Sequence, residues 1–118
     1  MNVDLDLITA CINRERRAEY ELYKMTYSYL MGISFRYVHS GEKAQEMVNI
    51  GFLKILNNLD KYRPEIPFKT WIRKLMINIL IDEFRKEKKH KETINYVEDY
   101  KESGSFSEVN HAVTNMNV

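Results

Sequence analysis

Residues 68–91 read FKTWIRKLMINILIDEFRKEKKHK. At helical spacing Phe68, Ile72, Leu75, Ile79 and Glu83 fall on one side, and Trp71, Met76, Leu80 and Phe84 widen it, so the segment offers a broad apolar face to a core. The pattern predicts a helix of about six turns at roughly 3.6 residues per turn. A second line carries Lys69, Thr70, Arg73, Lys74, Asn78, Asp82, Arg85 and Lys86, a cationic ridge with one amide set inside it. Within the segment Lys69, Arg73, Lys74, Arg85, Lys86, Lys88, Lys89 and Lys91 are opposed only by Asp82, Glu83 and Glu87, although the whole chain carries a formal net charge of +1. Charges balance over 1–67, and after 91 Lys101 stands against Glu92, Glu98, Asp99, Glu102 and Glu108. Positive charge gathered on one helix suits nucleic acid or an anionic membrane; the alternative is a solvated helix face.

With 118 residues the chain has room for one domain with a modest core, plus a tail. Glycine is scarce and the two prolines fall at 64 and 67, which argues against a turn-rich β architecture. The expected fold is all-α: a compact bundle of about four helices, one short and three long, over residues 1–91, with a flexible acidic C-terminal tail or linker over 92–118. The single Cys11 forms no internal disulfide and suits a reducing cytoplasm. His39, His90 and His111 lack ligand spacing, so neither metal nor cofactor is expected. No run of about 18 apolar residues is present, and membrane insertion is not expected.

Taken in order, Leu5, Ile8, Ala10, Cys11 and Ile12 make a short amphipathic helix over 4–13, stable only when docked on something larger. The run Arg14, Glu15, Arg16, Arg17 interrupts the pattern. Ala18, Leu22, Met25, Tyr29, Ile33 and Tyr37 resume it, predicting a second helix over 14–38. Ser40 is a candidate N-cap with Glu42 in the first turn of a third helix, 41–59, whose inward face is Ala44, Val48, Phe52, Ile55 and Leu59. On its outer side Ile50 and Leu53 lie beside Glu46 and Asn49, a candidate protein-binding patch. DKYRPEIP, 60–67, is a rigid loop because each proline lacks an amide donor and biases the residue before it away from the helix. Pro67 suits the first turn of the fourth helix.

Three blocks then stand at fixed distances: LYKMTYSYLMGISFRYV, EKAQEMVNIGFLKILNNLDKYR and PFKTWIRKLMINILIDEFRKEKK. Together, over roughly 18–90, they closely resemble the second conserved region of bacterial RNA polymerase sigma factors of the extracytoplasmic-function group. The resemblance implies that the third helix grips a coiled coil of the largest subunit of core RNA polymerase, with Glu46 at the acidic position and Asn49 where Gln is usual. Ile50 stands where Glu is common, which removes one charge from that contact; Leu53 completes the patch. It implies that the loop and fourth helix recognise the minus-ten promoter element as the non-template single strand. Tyr62, Arg63 and Ile66 would help form a base pocket, Lys74 and Asn78 would face the promoter, and Lys69, Arg73, Arg85, Lys86, Lys88 and Lys89 would mainly meet phosphates. An anti-sigma factor is a further partner that the resemblance allows. Factors of this group carry a second helical domain, and nothing after Lys91 has its length or periodicity; the chain is expected to be an excised piece.

Other readings stay open beside this one. Trp71 lies on the apolar face and reads as a core anchor more readily than as a stacking wedge. A helical adaptor that binds protein, with a basic face serving only solubility, would show no sequence-selective DNA contact. A duplex-binding helix-turn-helix fits less well, because the proline-bracketed loop exceeds the usual turn of about three or four residues. The chain holds no G-x-G-x-x-G, P-loop or H-E-x-x-H sequence, and Asp82, Glu83 and His90 have no evident nucleophile or metal partner, so no enzymatic activity is expected.

Overall fold

The computed structural model describes residues 1–103 and is built of α1 (Leu5–Ile12), α2 (Arg16–Ser34), α3 (Gly41–Asn58), a 3-10 turn (Leu59–Lys61) and α4 (Phe68–Ser103). There is no strand among the described residues, and the all-α expectation holds. The chain divides into two units, 1–81 and 82–118.

In the first unit, α1 starts where it does because the Asp4 carboxylate accepts the Leu7 amide at 2.8 Å, satisfying a donor that the first turn leaves unpaired. A helix of 8 residues is marginal alone. Ile8 and Cys11, turned into the core, hold it in place, while Leu5 and Ile12 of the same apolar reading stay exposed. Burial, then the nearby carboxylates of Glu19, Glu21 and Glu15, push the Cys11 thiol from 9.0 up to about 11, so it remains protonated and unreactive at neutral pH.

α1 ends in a Schellman arrangement: the Glu15 amide donates to the Ala10 carbonyl at 3.1 Å and the Arg14 amide to the Cys11 carbonyl at 3.0 Å. Arg14 takes the left-handed conformation there, φ 61°, which costs a residue with a Cβ about 1–2 kcal/mol. Its guanidinium offsets part of this by donating to Asn57 Oδ1 at 3.1 Å and pairing with Glu19 at 3.8 Å. Asn13 and Arg14 therefore form a turn tied to α3, Glu15 stands as the N-cap, and α2 spans Arg16–Ser34 rather than 14–38. Past Ser34 the Tyr37 and Val38 amides both fold back on the Ser34 carbonyl at 3.0 Å, which leaves Tyr37 exposed instead of inward. The turn delivers Ser40 as the cap of α3, its hydroxyl accepting the Lys43 amide at 3.2 Å with Glu42 in the first turn.

The core joins Leu22, Leu30 and Ile33 of α2 to Ala44, Val48, Phe52 and Ile55 of α3, with Leu59 from the 3-10 turn and Ile72, Met76 and Leu80 from α4. All five residues expected on the inward face of α3 are buried, and Met47, Gly51 and Leu56 join them. Gly51 marks the crossing of α3 and α4, since a Cβ built there would stand 2.5 Å from Met76 Sδ. Two hydroxyls share this interior with different outcomes. Thr26 Oγ1 donates to the Leu22 carbonyl at 2.9 Å, whereas Ser34 Oγ is buried with no hydrogen-bond partner among the described residues. An unpaired buried hydroxyl carries its desolvation cost without return. Ser34→Ala is thus expected to raise stability by about 1 kcal/mol in a urea melt, and a loss of that size would contradict the unpaired hydroxyl.

In the second unit α4 runs on past Lys91 to Ser103, where loss of periodicity predicts an end. The reason is local: no proline or glycine occurs between Lys91 and Gly104 to break the helix. Phe84, counted with the apolar face, is 63% exposed. Thr93 Oγ1 bonds back to the Lys89 carbonyl at 2.9 Å within the helix. Residues 104–118 of the expected tail lie outside the described residues. No helix among the described residues is long and apolar enough to cross a membrane.

Candidate functional site

The loop between the 3-10 turn and α4 is held by one aromatic side chain. Tyr62, half-buried, stands edge-on to Phe68 with centroids 5.2 Å apart and tilts against Trp71 at 5.1 Å, while its hydroxyl donates to the Ile66 carbonyl. Phe68 is buried, so the loop is pinned to the core at both ends. The Ile66 amide donates to the Arg63 carbonyl at 3.0 Å, and the Pro67 carbonyl accepts from Thr70 and Trp71. Pro67 therefore caps α4 from just outside, one position before the first turn, where its missing amide costs nothing.

This bracing leaves Ile66 at the edge of a cavity of about 430 Å³ lined by Ile66, Thr70, Trp71, Lys74, Leu75 and Asn78. Trp71 and Leu75 are half-buried and supply an apolar wall; Thr70, Lys74 and Asn78 are exposed and supply a hydroxyl, a cation and an amide. Such a site fits a flat heterocycle whose edge carries donors and acceptors and whose backbone carries negative charge. Ile66, Lys74 and Asn78 are thereby brought together on one cavity. Trp71 serves two ends at once, packed on the core and facing the cavity. Thr70 and Leu75 fall outside the sequence reading of this pocket, although the spacing of Thr70, Lys74 and Asn78, four residues apart, is the signal that places them on one line.

The remaining candidates stand elsewhere. Tyr62 is a brace behind the cavity and does not line it, because its ring and hydroxyl are already engaged. Arg63 and Arg73 are exposed on the first unit. Lys69 Nζ lies 4.8 Å from the centre of the Tyr29 ring, and the Tyr29 hydroxyl donates to the Lys69 carbonyl at 3.5 Å, so this cation is partly occupied within the fold. Arg85 and Lys86 are exposed on α4 in the second unit, where Lys86 shares a cavity of about 490 Å³ with Glu83, Glu87, His90 and Lys91, a surface of mixed charge.

A second surface is the outer face of α3. Glu46 lies 3.7 Å from Lys43 and keeps 58% of its side chain exposed; Ile50 and Leu53 are 44% and 61% exposed. Asn49 is exposed and its Oδ1 accepts from the Tyr23 hydroxyl of α2 at 2.8 Å. Tyr23 of α2 is thus part of this face. No group of His, Cys, Asp and Glu suited to a metal ion occurs among the described residues.

Comparison with known proteins gives the family of the chain. The family described as Sigma-70 region 2 matches residues 22–90. The chain is 28% identical over 76 residues to the RNA polymerase sigma-H factor of Pseudomonas aeruginosa, covering 64% of this chain and 39% of that protein. It is 27% identical over 73 residues to RNA polymerase sigma factor YlaC of Bacillus subtilis, covering 62% of this chain and 42% of that one. It thus spans about two fifths of the length of these curated relatives. No solved structure matches it. Because the matched span runs from α2 through the cavity beside the loop and takes in the outer face of α3, the chain belongs to the sigma-70 region 2 family of RNA polymerase sigma factors.

Proposed function

We propose that this chain is the part of an extracytoplasmic-function sigma factor that binds core RNA polymerase through Glu46, Asn49, Ile50 and Leu53 and takes the minus-ten element as non-template single strand. The observation that carries the second half is the convergence of Ile66, Trp71, Lys74 and Asn78 on one cavity. A base inside a duplex hides its pairing edge and both faces, whereas an extruded base offers all of them to a pocket with an apolar wall and an amide. Asn78 is the group able to donate to and accept from a base edge, so it carries sequence choice. Lys74, together with the exposed Arg63 and Arg73, meets phosphates and carries affinity and salt dependence. On α3 the exposed Ile50 and Leu53 make the polymerase contact partly apolar, in keeping with Ile50 standing where the family commonly has a carboxylate.

The test is fluorescence anisotropy on labelled single strands of minus-ten and shuffled sequence, with the chain bound to core polymerase. Asn78→Ala is expected to weaken the preferred strand about tenfold and flatten the preference, the scale of one lost bidentate contact. Lys74→Ala is expected to weaken all strands alike and reduce the salt slope by about 0.7. Equal affinity for every sequence in the parent chain, with no response to either change, removes the promoter role and leaves the adaptor reading.

A further inference from the structure

The chemistry shown by the outer face of α3 depends on one bond that crosses the seam to α2, from the Tyr23 hydroxyl to Asn49 Oδ1 at 2.8 Å. The phenol is not free to swing away. Its ring stands edge-on to Phe52, centroids 5.0 Å apart at 79°, and tilts against Tyr27 at 5.5 Å. The terminal torsion of an asparagine is broad and roughly two-fold, so an unrestrained amide shows a partner either its oxygen or its nitrogen. Here the oxygen is turned back to α2, and the amide nitrogen with its two N–H donors is what the exposed side chain has left to present.

We infer that Tyr23 is a positioning residue of the polymerase-binding face, holding Asn49 so that its amide donors meet a carbonyl or carboxylate on the partner, beside Glu46 and the apolar pair Ile50 and Leu53. The inference rests on the reading of the α3 face proposed above. It follows that the matching surface is mixed: a cation for Glu46, an acceptor for Asn49 and an apolar side chain for Ile50 and Leu53. Burial, then the neighbouring Tyr27, pushes the Tyr23 phenol above its usual 10.0, so the hydroxyl keeps the proton it donates throughout the neutral range. An aspartate at 49 would still accept from the phenol but would meet the partner's acceptor with lone pairs and negative charge.

The experiment measures the Kd of the full chain for core RNA polymerase alongside its helicity and melting midpoint. Tyr23→Phe keeps the ring against Phe52 and removes only the hydroxyl; capture is expected to weaken about 5-fold with helicity unchanged. Asn49→Asp is expected to weaken capture by about tenfold or more. The double variant should bind no worse than Asn49→Asp alone, because aiming an amide has no value once its donors are gone. A merely structural tyrosine would instead lower the midpoint and give additive losses, and that result overturns the inference. So does parent-like capture by Tyr23→Phe while Glu46→Arg loses capture, which leaves the α3 face standing. Parent-like capture by Glu46→Arg removes the face and the inference with it. Should Tyr23→Phe lose helicity, unchanged capture by Asn49→Asp decides against the inference by itself.

Discussion

Gly51→Leu is expected to lower the stability of the domain by about 3 kcal/mol or more, the upper part of the range for overpacked cores. The first carbon of any side chain at 51 already stands 2.5 Å from Met76 Sδ and 3.8 Å from Ile79 Cδ1, so the flexible end of the fully buried Met76 must shift, and leucine adds three further carbons to the same volume. Leucine gains up to about 1 kcal/mol of helix propensity over glycine, which is too small to reverse the sign. On a domain of this size the loss corresponds to a fall of roughly 10–20 °C in the thermal midpoint followed by circular dichroism. Met76→Ala, destabilising on its own by the cavity it opens, should recover part of the loss when combined with Gly51→Leu, since the two side chains compete for one volume. A Gly51→Leu chain that melts with its parent would mean that α3 and α4 do not cross at this point.

Glu46→Arg is expected to weaken capture of core RNA polymerase by about 30-fold or more while the helical signal and melting midpoint stay put. Stability is insensitive because the side chain is 58% exposed and its 3.7 Å pair with Lys43 is a surface ion pair, worth about 0–1 kcal/mol. Binding is sensitive because reversing a charge opposite a complementary one both removes an attraction and leaves the partner's charge facing its like, a change of about 2–5 kcal/mol. Parent capture should also weaken as salt is raised, and the Glu46→Arg variant should respond less. If pull-down with core polymerase is the same for both chains, the outer face of α3 is not the contact.

Much of this architecture is legible in single-helix patterns. The inward face of α3, the Ser40 cap and the exposure of Lys74 and Asn78 on one line of α4 all follow from interactions three or four residues apart. The same local rules misplace the ends of helices when something distant intervenes. Arg14 closes α1 in a left-handed conformation with its guanidinium on Asn57, 43 residues away, and no pattern within 14–17 encodes that partner. Lys69 reads as a free phosphate ligand until Tyr29 is seen beneath its ammonium group.

Helical periods, caps and proline breaks along the chain are enough to specify an all-α bundle, the inward face of α3 and a proline-bracketed break before α4, because each depends on neighbours within a turn or two; the 3-10 turn that takes up Asp60 and Lys61 is not among them. The cavity beside Ile66, the bracing of its loop by Tyr62, and the orientation that Tyr23 imposes on Asn49 across 26 residues arise only when helices pack. Side chains that meet through space, not along the sequence, set those geometries, and the free energy that fixes them exists only in the folded chain.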